Sequence, residues 1–355
     1  MLSEKQLEEI REHLNRAQNP LFFFDNDCDG LISFILLRRY IGRGKGVAIK
    51  SFPGLDENYT HKVDELGADY IFILDKPIVS EGFFEQIRQR NLPIVCIDHH
   101  EVEKKEIKND HGFVSYYNPI LSSKKSSEPV SYIAYNVSSR KDDIWLSVIG
   151  CIADNFIPDF YSEFYKKYPE LTKKSVSSAF EVLYETQLGK LIMILDFALK
   201  DRTSSVVSMI NLLFNVKSPF DILKEDDKNF NILKRYNQVY SVYSRILDKA
   251  MRVARVSRNL AFFQYGGQLS LSANLANELS YRFPSKVIIV AYIKGTVVNV
   301  SIRGSINVRA ITLKAIEKIG NATGGGHEHA TGAKLYVEDL PKFKEFFEQE
   351  LKRVL

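Results

Sequence analysis

The sequence predicts an α/β protein: a parallel sheet with helices on both faces, then a helical connector, then a smaller mixed α/β domain at the C-terminus. Three observations predict this. Short apolar runs alternate with helically spaced segments through the first third of the chain, and three of those runs end at an aspartate: Asp25, Asp75 and Asp98. A long stretch that reads mostly as helix follows. Beyond Asn259 a second set of strand and helix patterns begins.

Residues 4 to 17 alternate apolar and charged positions at helical spacing. Pro20 to Phe24 reads as a buried strand running into Asp25, and Leu31 to Tyr40 as an apolar helix ended by Gly42 and Gly44. Val47 to Phe52 is a second strand, and Glu57 to Leu66 a helix stopped by Gly67. Asp69 to Leu74 is a third strand, Glu81 to Arg90 a helix, and Leu92 to Ile97 a fourth strand. Apolar strands between helices imply a sheet covered on both faces. In such sheets ligands sit beyond the carboxyl ends of the strands, where the three aspartates stand. Ser122 to Glu128 is a polar loop. Helices follow through about Tyr135 and from Trp145 to Ala153, and residues 160 to 250 read mostly helical, with breaks at Pro169 and Pro219. In the last part, Leu260 to Tyr265, Lys286 to Ile293 and Thr296 to Ile302 read as strands. Ala273 to Arg282, Val308 to Ile319 and Leu340 to Lys352 read as helices. The expected division is 1–195, a connector at 196–257, and 258–355.

A chain of 355 residues is about twice a typical domain, and 45% apolar with 26% charged residues excludes a largely disordered or fibrous protein. No apolar run of about 18 residues exists, so no membrane association is expected. Met1 to Glu9 is polar and charged, without a secretory or transit pattern, and three cysteines make no disulfide framework. A reduced, cytoplasmic protein is the expectation. From Ala250 to Leu355 there are 15 Lys/Arg against 8 Asp/Glu, a local +7; the remainder is 33 against 36, or −3. A basic last third suits a polyanionic partner, and an acidic first part suits bound cations.

Three clusters carry chemistry. Asp25-Asn26-Asp27-Cys28-Asp29-Gly30 packs three carboxylates that repel one another unless solvated or balanced by cations. The plainer alternative is a helix N-cap with solvated acids. Asp98-His99-His100 offers carboxylate and imidazole, ligands for Mn²⁺, Zn²⁺ or Fe²⁺, although a lone histidine is more often an ordinary surface residue. Asp75 reads alone as a strand-end residue, and Asp154 lies at the end of an apolar helix, where a carboxylate needs a partner. Gly324-Gly325-Gly326-His327 is read either as a backbone nest for an anion or as a flexible turn, with Arg303 and Ser305 upstream at a strand end. Cys28, Cys96 and Cys151 each lie within three residues of one of these aspartates and read as small packing residues.

In order and spacing, these motifs resemble the DHH phosphoesterase superfamily, in the branch with a DHH-associated C-terminal domain. Asp25-Asn26-Asp27-Cys28-Asp29-Gly30, Asp75, Asp98-His99-His100 and Asp154 match in turn, and Ser301-Ile302-Arg303-Gly304-Ser305 with Gly324 to His327 matches the associated domain. The first motif looks like that of RecJ-type exonucleases, and the short chain is most similar to the compact archaeal RecJ-like nucleases. Two departures stand out: Lys76-Pro77 where the family often has a small residue, and Phe23 where some members place a metal-binding histidine.

The resemblance implies two divalent ions, preferably Mn²⁺, with Mg²⁺ as the substitute. Asp25, Asp27 and Asp75 would hold one and Asp29, Asp75, His99 and Asp154 the other. His100 would polarise the scissile phosphate, Asp98 would orient His99, and Arg303, Ser305, Gly324, Gly325, Gly326 and His327 would bind the nucleotide end. The implied activity is exonucleolytic degradation of single-stranded DNA or RNA in replication or repair, with a replisome or helicase component as a partner. Hydrolysis of very short oligonucleotides or nucleotide phosphates is the alternative within the same chemistry. A non-catalytic replication scaffold is the alternative outside it.

Overall fold

The computed structural model describes residues 1–49, 54–101, 113–122 and 125–354. Residues 50–52 of the expected second strand and 123–124 of the expected polar loop lie outside the described residues. The chain forms two compact units, Met1–Tyr236 and Asn237–Leu355.

The first unit opens with α1 (Glu4–Arg16), β1 (Pro20–Asp25), α2 (Cys28–Ile41) and β2 (Lys45–Ile49). After these come α3 (Thr60–Leu66), β3 (Tyr70–Leu74), α4 (Glu81–Gln89), β4 (Ile94–Ile97) and β5 (Val114–Tyr117). The five strands make one wholly parallel sheet in the order β2-β1-β3-β4-β5. The chain goes from β1 outward to β2 on one side, then to β3 on the other. The strand order therefore reverses between β1 and β3, the place where open α/β sheets leave a crevice at their carboxyl edge.

The side chains of β1 explain its central place. Phe22 and Phe24 point to one face, where Phe22 stacks on Phe72 at 4.9 Å and Phe24 on Phe34 of α2 at 5.1 Å. Phe23 points to the other face and meets Phe83 of α4 edge-on at 5.5 Å. A strand apolar on both faces is stable only with helices on both. Helices α5 (Val130–Ser138) and α6 (Ile144–Ala153) pack on α2, so all residues from Cys28 to Leu37 are buried.

Helices α7 (Tyr161–Lys167), α8 (Ala179–Glu185), α9 (Gln187–Leu199), α10 (Thr203–Asn215) and α11 (Pro219–Leu223) complete this unit, and α12 (Phe230–Val256) begins in it. Within the stretch 196–257, α10 and α11 belong to the first unit and most of α12 to the second. Arg39 of α2 shows why, since its buried guanidinium pairs with Asp143 and donates to the carbonyls of Leu213, at 2.5 Å, and Val216. Pro219 stands at the break between α10 and α11 and starts α11 at its first turn, as its fixed φ allows.

The second unit contains β6 (Leu260–Gly266), α13 (Ser272–Arg282), β7 (Val287–Lys294), β8 (Val297–Arg303), α14 (Val308–Glu317), β9 (Thr323–His327), β10 (Ala330–Tyr336) and α15 (Leu340–Lys352). Its sheet runs β6-β7-β8-β10-β9, antiparallel except for the parallel β6–β7 pair. Ile289, Val300, Ile302, Phe343 and Phe347 are among the residues that form its core. No helix among the described residues is long and apolar enough to cross a membrane.

Candidate metal centre

The carboxyl edge of the first sheet gathers the acids. Asp25 ends β1, Asp27 caps α2 by accepting from the Gly30 amide at 2.9 Å, and the two are held close by Gly30 itself. A Cβ at residue 30 would lie 2.5 Å from the Asp25 carbonyl oxygen and 2.8 Å from its nitrogen. Only glycine lets the first turn of α2 lie against the end of β1.

Asp75 follows β3 with φ at +57°, a left-handed conformation that costs free energy in most non-glycine residues and tends to be kept at functional positions. Its amide donates to Ile97 at 2.9 Å, which turns the side chain toward β4. The carboxylate is 1% exposed, and its Oδ1 has no hydrogen-bond partner among the described residues. His99 Nε2 lies 3.4 Å from that oxygen and 3.5 Å from Asp154 Oδ2; His100 Nδ1 lies 3.7 Å from the same Asp75 oxygen.

Among the described residues two groups of ligand atoms result, each within 4.8 Å of one another: Asp25, Asp27 and Asp75, and Asp75, His99 and His100. Asp75 belongs to both. Burial pushes its carboxyl well above the ordinary range, and the charges of Asp27 and Asp29 add to this. Burial, then Asp25 and Asp29, raise Asp27 to about 7. The His99 ring is opposed by burial but is held well above its ordinary value by Asp154 and Asp75. Carboxylates that resist ionisation when left together are what a divalent cation relieves, and the orphaned Asp75 oxygen is an open ligand atom. The donor set fits such an ion.

Without metal, these groups make stability fall as pH rises. A carboxyl raised in the fold, like a raised histidine, stabilises most below its free-chain value, 3.8 or 6.5, and loses that contribution as pH passes its folded value, about 7 for Asp27. Asp98 is held below its ordinary value and acts oppositely, but only toward strong acid. The chelator-treated protein is therefore expected to unfold at a lower temperature near pH 8 than near pH 5. A higher midpoint at pH 8 would count against this arrangement of charges.

Asp29 and Asp98 make contacts other than those the resemblance implies. The Asp29 oxygens accept from the amides of Val130 at 2.8 Å and Ser131 at 2.9 Å, capping α5, whose own N-cap residue, Pro129, makes no side-chain cap. Asp98 holds His100 rather than His99, accepting from His100 Nδ1 at 2.8 Å, while its other oxygen accepts from Tyr116 Oη at 3.1 Å. Burial opposes charge on Asp98, but the His100 hydrogen bond and both imidazoles bring its carboxyl below the ordinary range. Asn118 completes the support, donating to the His100 carbonyl at 3.0 Å and the Tyr116 hydroxyl at 3.2 Å. Tyr116 and Asn118 escaped sequence reasoning because β5 did. Lys76, noted as a departure in sequence, donates from Nζ to Asp25 Oδ1 at 2.8 Å. Phe23 is fully buried in the core and offers no ligand.

In the second unit, Gly324 to Gly326 lie within β9, the edge strand, paired antiparallel with β10, Gly326 with a positive φ of 135°. Arg303 and His327 are nonetheless brought to one face, because both register with Ala330, Arg303 from β8 and His327 from β9. Two strand spacings, about 10 Å, separate their backbones. Asn277 and the Thr331 carbonyl fix the guanidinium, accepting at 2.6 and 3.3 Å. Ser305 is exposed just beyond β8.

Residues 256–353 match the DHHA1 domain. The chain is similar to RecJ of Thermus thermophilus in complex with Mn²⁺, with 14% identity over 98% of this chain and a TM-score of 0.66. It spans 54% of that protein. The DHH domain of a protein described as a member of a family of ribosomal proteins gives 15% identity, a TM-score of 0.68, and coverage of 98% of this chain and 89% of that one. Exonuclease RecJ bound to manganese gives 15%, a TM-score of 0.63, and coverage of 99% and 96%. No curated protein matches the chain by sequence.

Proposed function

We propose that this chain, with the RecJ-like fold of the DHH phosphoesterases and a DHHA1 domain, is a divalent-cation-dependent phosphodiesterase that removes nucleotides from single-stranded DNA or RNA. The observation that carries this reading is the pair of ligand groups sharing Asp75, whose buried Oδ1 accepts no hydrogen bond among the described residues. Mn²⁺ is the favoured ion and Mg²⁺ the substitute, in keeping with the carboxylate and imidazole donors. A cation pair on these groups would polarise a phosphoryl oxygen and acidify an attacking water.

The chain's own residues supply the rest. Asp98 engages His100 through Nδ1, so Nε2 is the ring atom that would donate to a non-bridging phosphate oxygen. Tyr116 and Asn118 keep that ring and its carboxylate from turning. Asp154, more than a third exposed, stands on the solvent side of His99. In the second unit, Arg303 offers a planar donor suited to phosphate, with His327 in the same row and Ser305 nearby as a hydroxyl donor. A local charge of +7 from Ala250 to Leu355 favours a polyanion there. Single strands exposed in replication or repair, presented by a replisome or helicase component, fit such an enzyme.

The test is digestion of strands of about 3 and about 40 nucleotides, labelled at each end in turn, with Mn²⁺ and with Mg²⁺. Successive mononucleotide release from the long strand is the expected result, more strongly salt-dependent for the long strand than for the short. Turnover confined to the short strand would replace this reading with hydrolysis of small oligonucleotides. No turnover of either would leave the scaffold reading.

A further inference from the structure

The reaction proposed above gives no work to Lys76, yet this residue directly follows the shared Asp75, is 6% exposed, and ties its ammonium to Asp25 at 2.8 Å. We infer that Lys76 occupies the cation position on the Asp25 side of the centre, so the two ligand groups are unequal. The side of Asp75 and His99, with Asp154 3.5 Å from the ring, takes a divalent ion first and tightly. Asp25, Asp27 and Asp75 take one only when Lys76 is displaced from Asp25. The inference rests on the reading of this edge as a metal centre and deepens it.

Three features carry it. First, three carboxylates with ligand atoms within 4.8 Å of one another need positive charge, and Lys76 already brings one to that end. Second, its side chain is 3% exposed, so drawing it away from Asp25 means moving a charge within a buried site, which opposes exchange for an incoming ion. Third, the Asp25 side holds carboxylates alone among its ligand atoms, with Lys76 already offsetting their charge, whereas the other group adds imidazole, a donor that brings no further negative charge. A doubly charged ion on Asp25 and Asp27 would also sit next to a like charge. The same sequence position that departs from the family pattern thus becomes a device that sets the order of loading.

Metal binding, not turnover, tests this. Chelator-stripped chain is titrated with Mn²⁺, and free ion is followed by its paramagnetic resonance signal. The expected result is one tight equivalent per chain in the wild type and a much weaker second. Lys76→Met should tighten the second equivalent by about 10–100-fold, the usual scale for a change beside metal ligands. Lys76→Arg, which keeps the charge, should leave it weak. Asp25→Asn should keep the tight equivalent, and it supplies this reading even if Lys76→Met does not fold. Two equal equivalents in the wild type, or loss of the tight ion in Asp25→Asn, would overturn the inference while leaving a metal centre in place. Absence of any tight ion would overturn both.

Discussion

Asp75→Asn is expected to reduce phosphodiester hydrolysis by at least about 10³-fold, the scale of removing a principal electrostatic element from a transition-state site. The reason is the sharing: Asp75 is the one residue common to the two described ligand groups. Asparagine is the informative substitution because it tolerates the left-handed backbone that Asp75 adopts at φ +57°, whereas alanine would add strain there. The amide also removes a buried carboxyl whose ionisation burial and neighbouring acids oppose. Metal-free Asp75→Asn should therefore be at least as stable as the metal-free wild type. What it should lose is the stabilisation by Mn²⁺, about 2.7 kcal/mol for the wild type at a hundredfold excess over Kd. Thermal unfolding with and without Mn²⁺, beside the rate, checks both halves. A variant that still gains the wild-type shift with Mn²⁺ would remove Asp75 from the centre.

The strands that bear the acids were legible in the sequence because their signal is local. Phe22 to Phe24 and Tyr70 to Leu74 are apolar on both faces, which only a covered parallel sheet demands, and the residues that end them are placed by that fact alone. β5 was not legible, since Val114 to Tyr117 is four residues long and mostly half-buried at the sheet edge. Missing β5 meant missing Tyr116 and Asn118, and with them the reason Asp98 turns to His100. The place of the glycines in β9 was not legible for a related reason. A run of three glycines favours turns, but here the close approach of β10 excludes side chains at Gly324 and Gly326: a Cβ on either would lie 2.6 Å from a carbonyl oxygen, of Gly332 and Ala330 respectively. That contact is made across strands and has no signature in the local sequence. The row of His327, Ala330 and Arg303 is legible only once the register is known.

Asp29 separates a motif reading from a structural one most sharply, and its replacement is expected to produce the largest loss of stability. By spacing it belongs with Asp25 and Asp27. In the structure its two oxygens are taken up by the start of α5, where it serves as a cap supplied by another helix. Asp29→Ala leaves the Val130 and Ser131 amides buried without their acceptor, at about 1–3 kcal/mol each, and removes a negative charge from a helix N-terminus, worth up to about 2 kcal/mol when partly buried. Asp29→Asn is no remedy, because one of the two amides would then face an NH₂ group. Urea unfolding in chelator should show both variants several kcal/mol below the wild type. The variant that remains folded at low temperature should still bind its tight Mn²⁺, because neither described ligand group includes Asp29. Loss of the ion with stability intact would return Asp29 to the metal and show that the α5 cap is incidental.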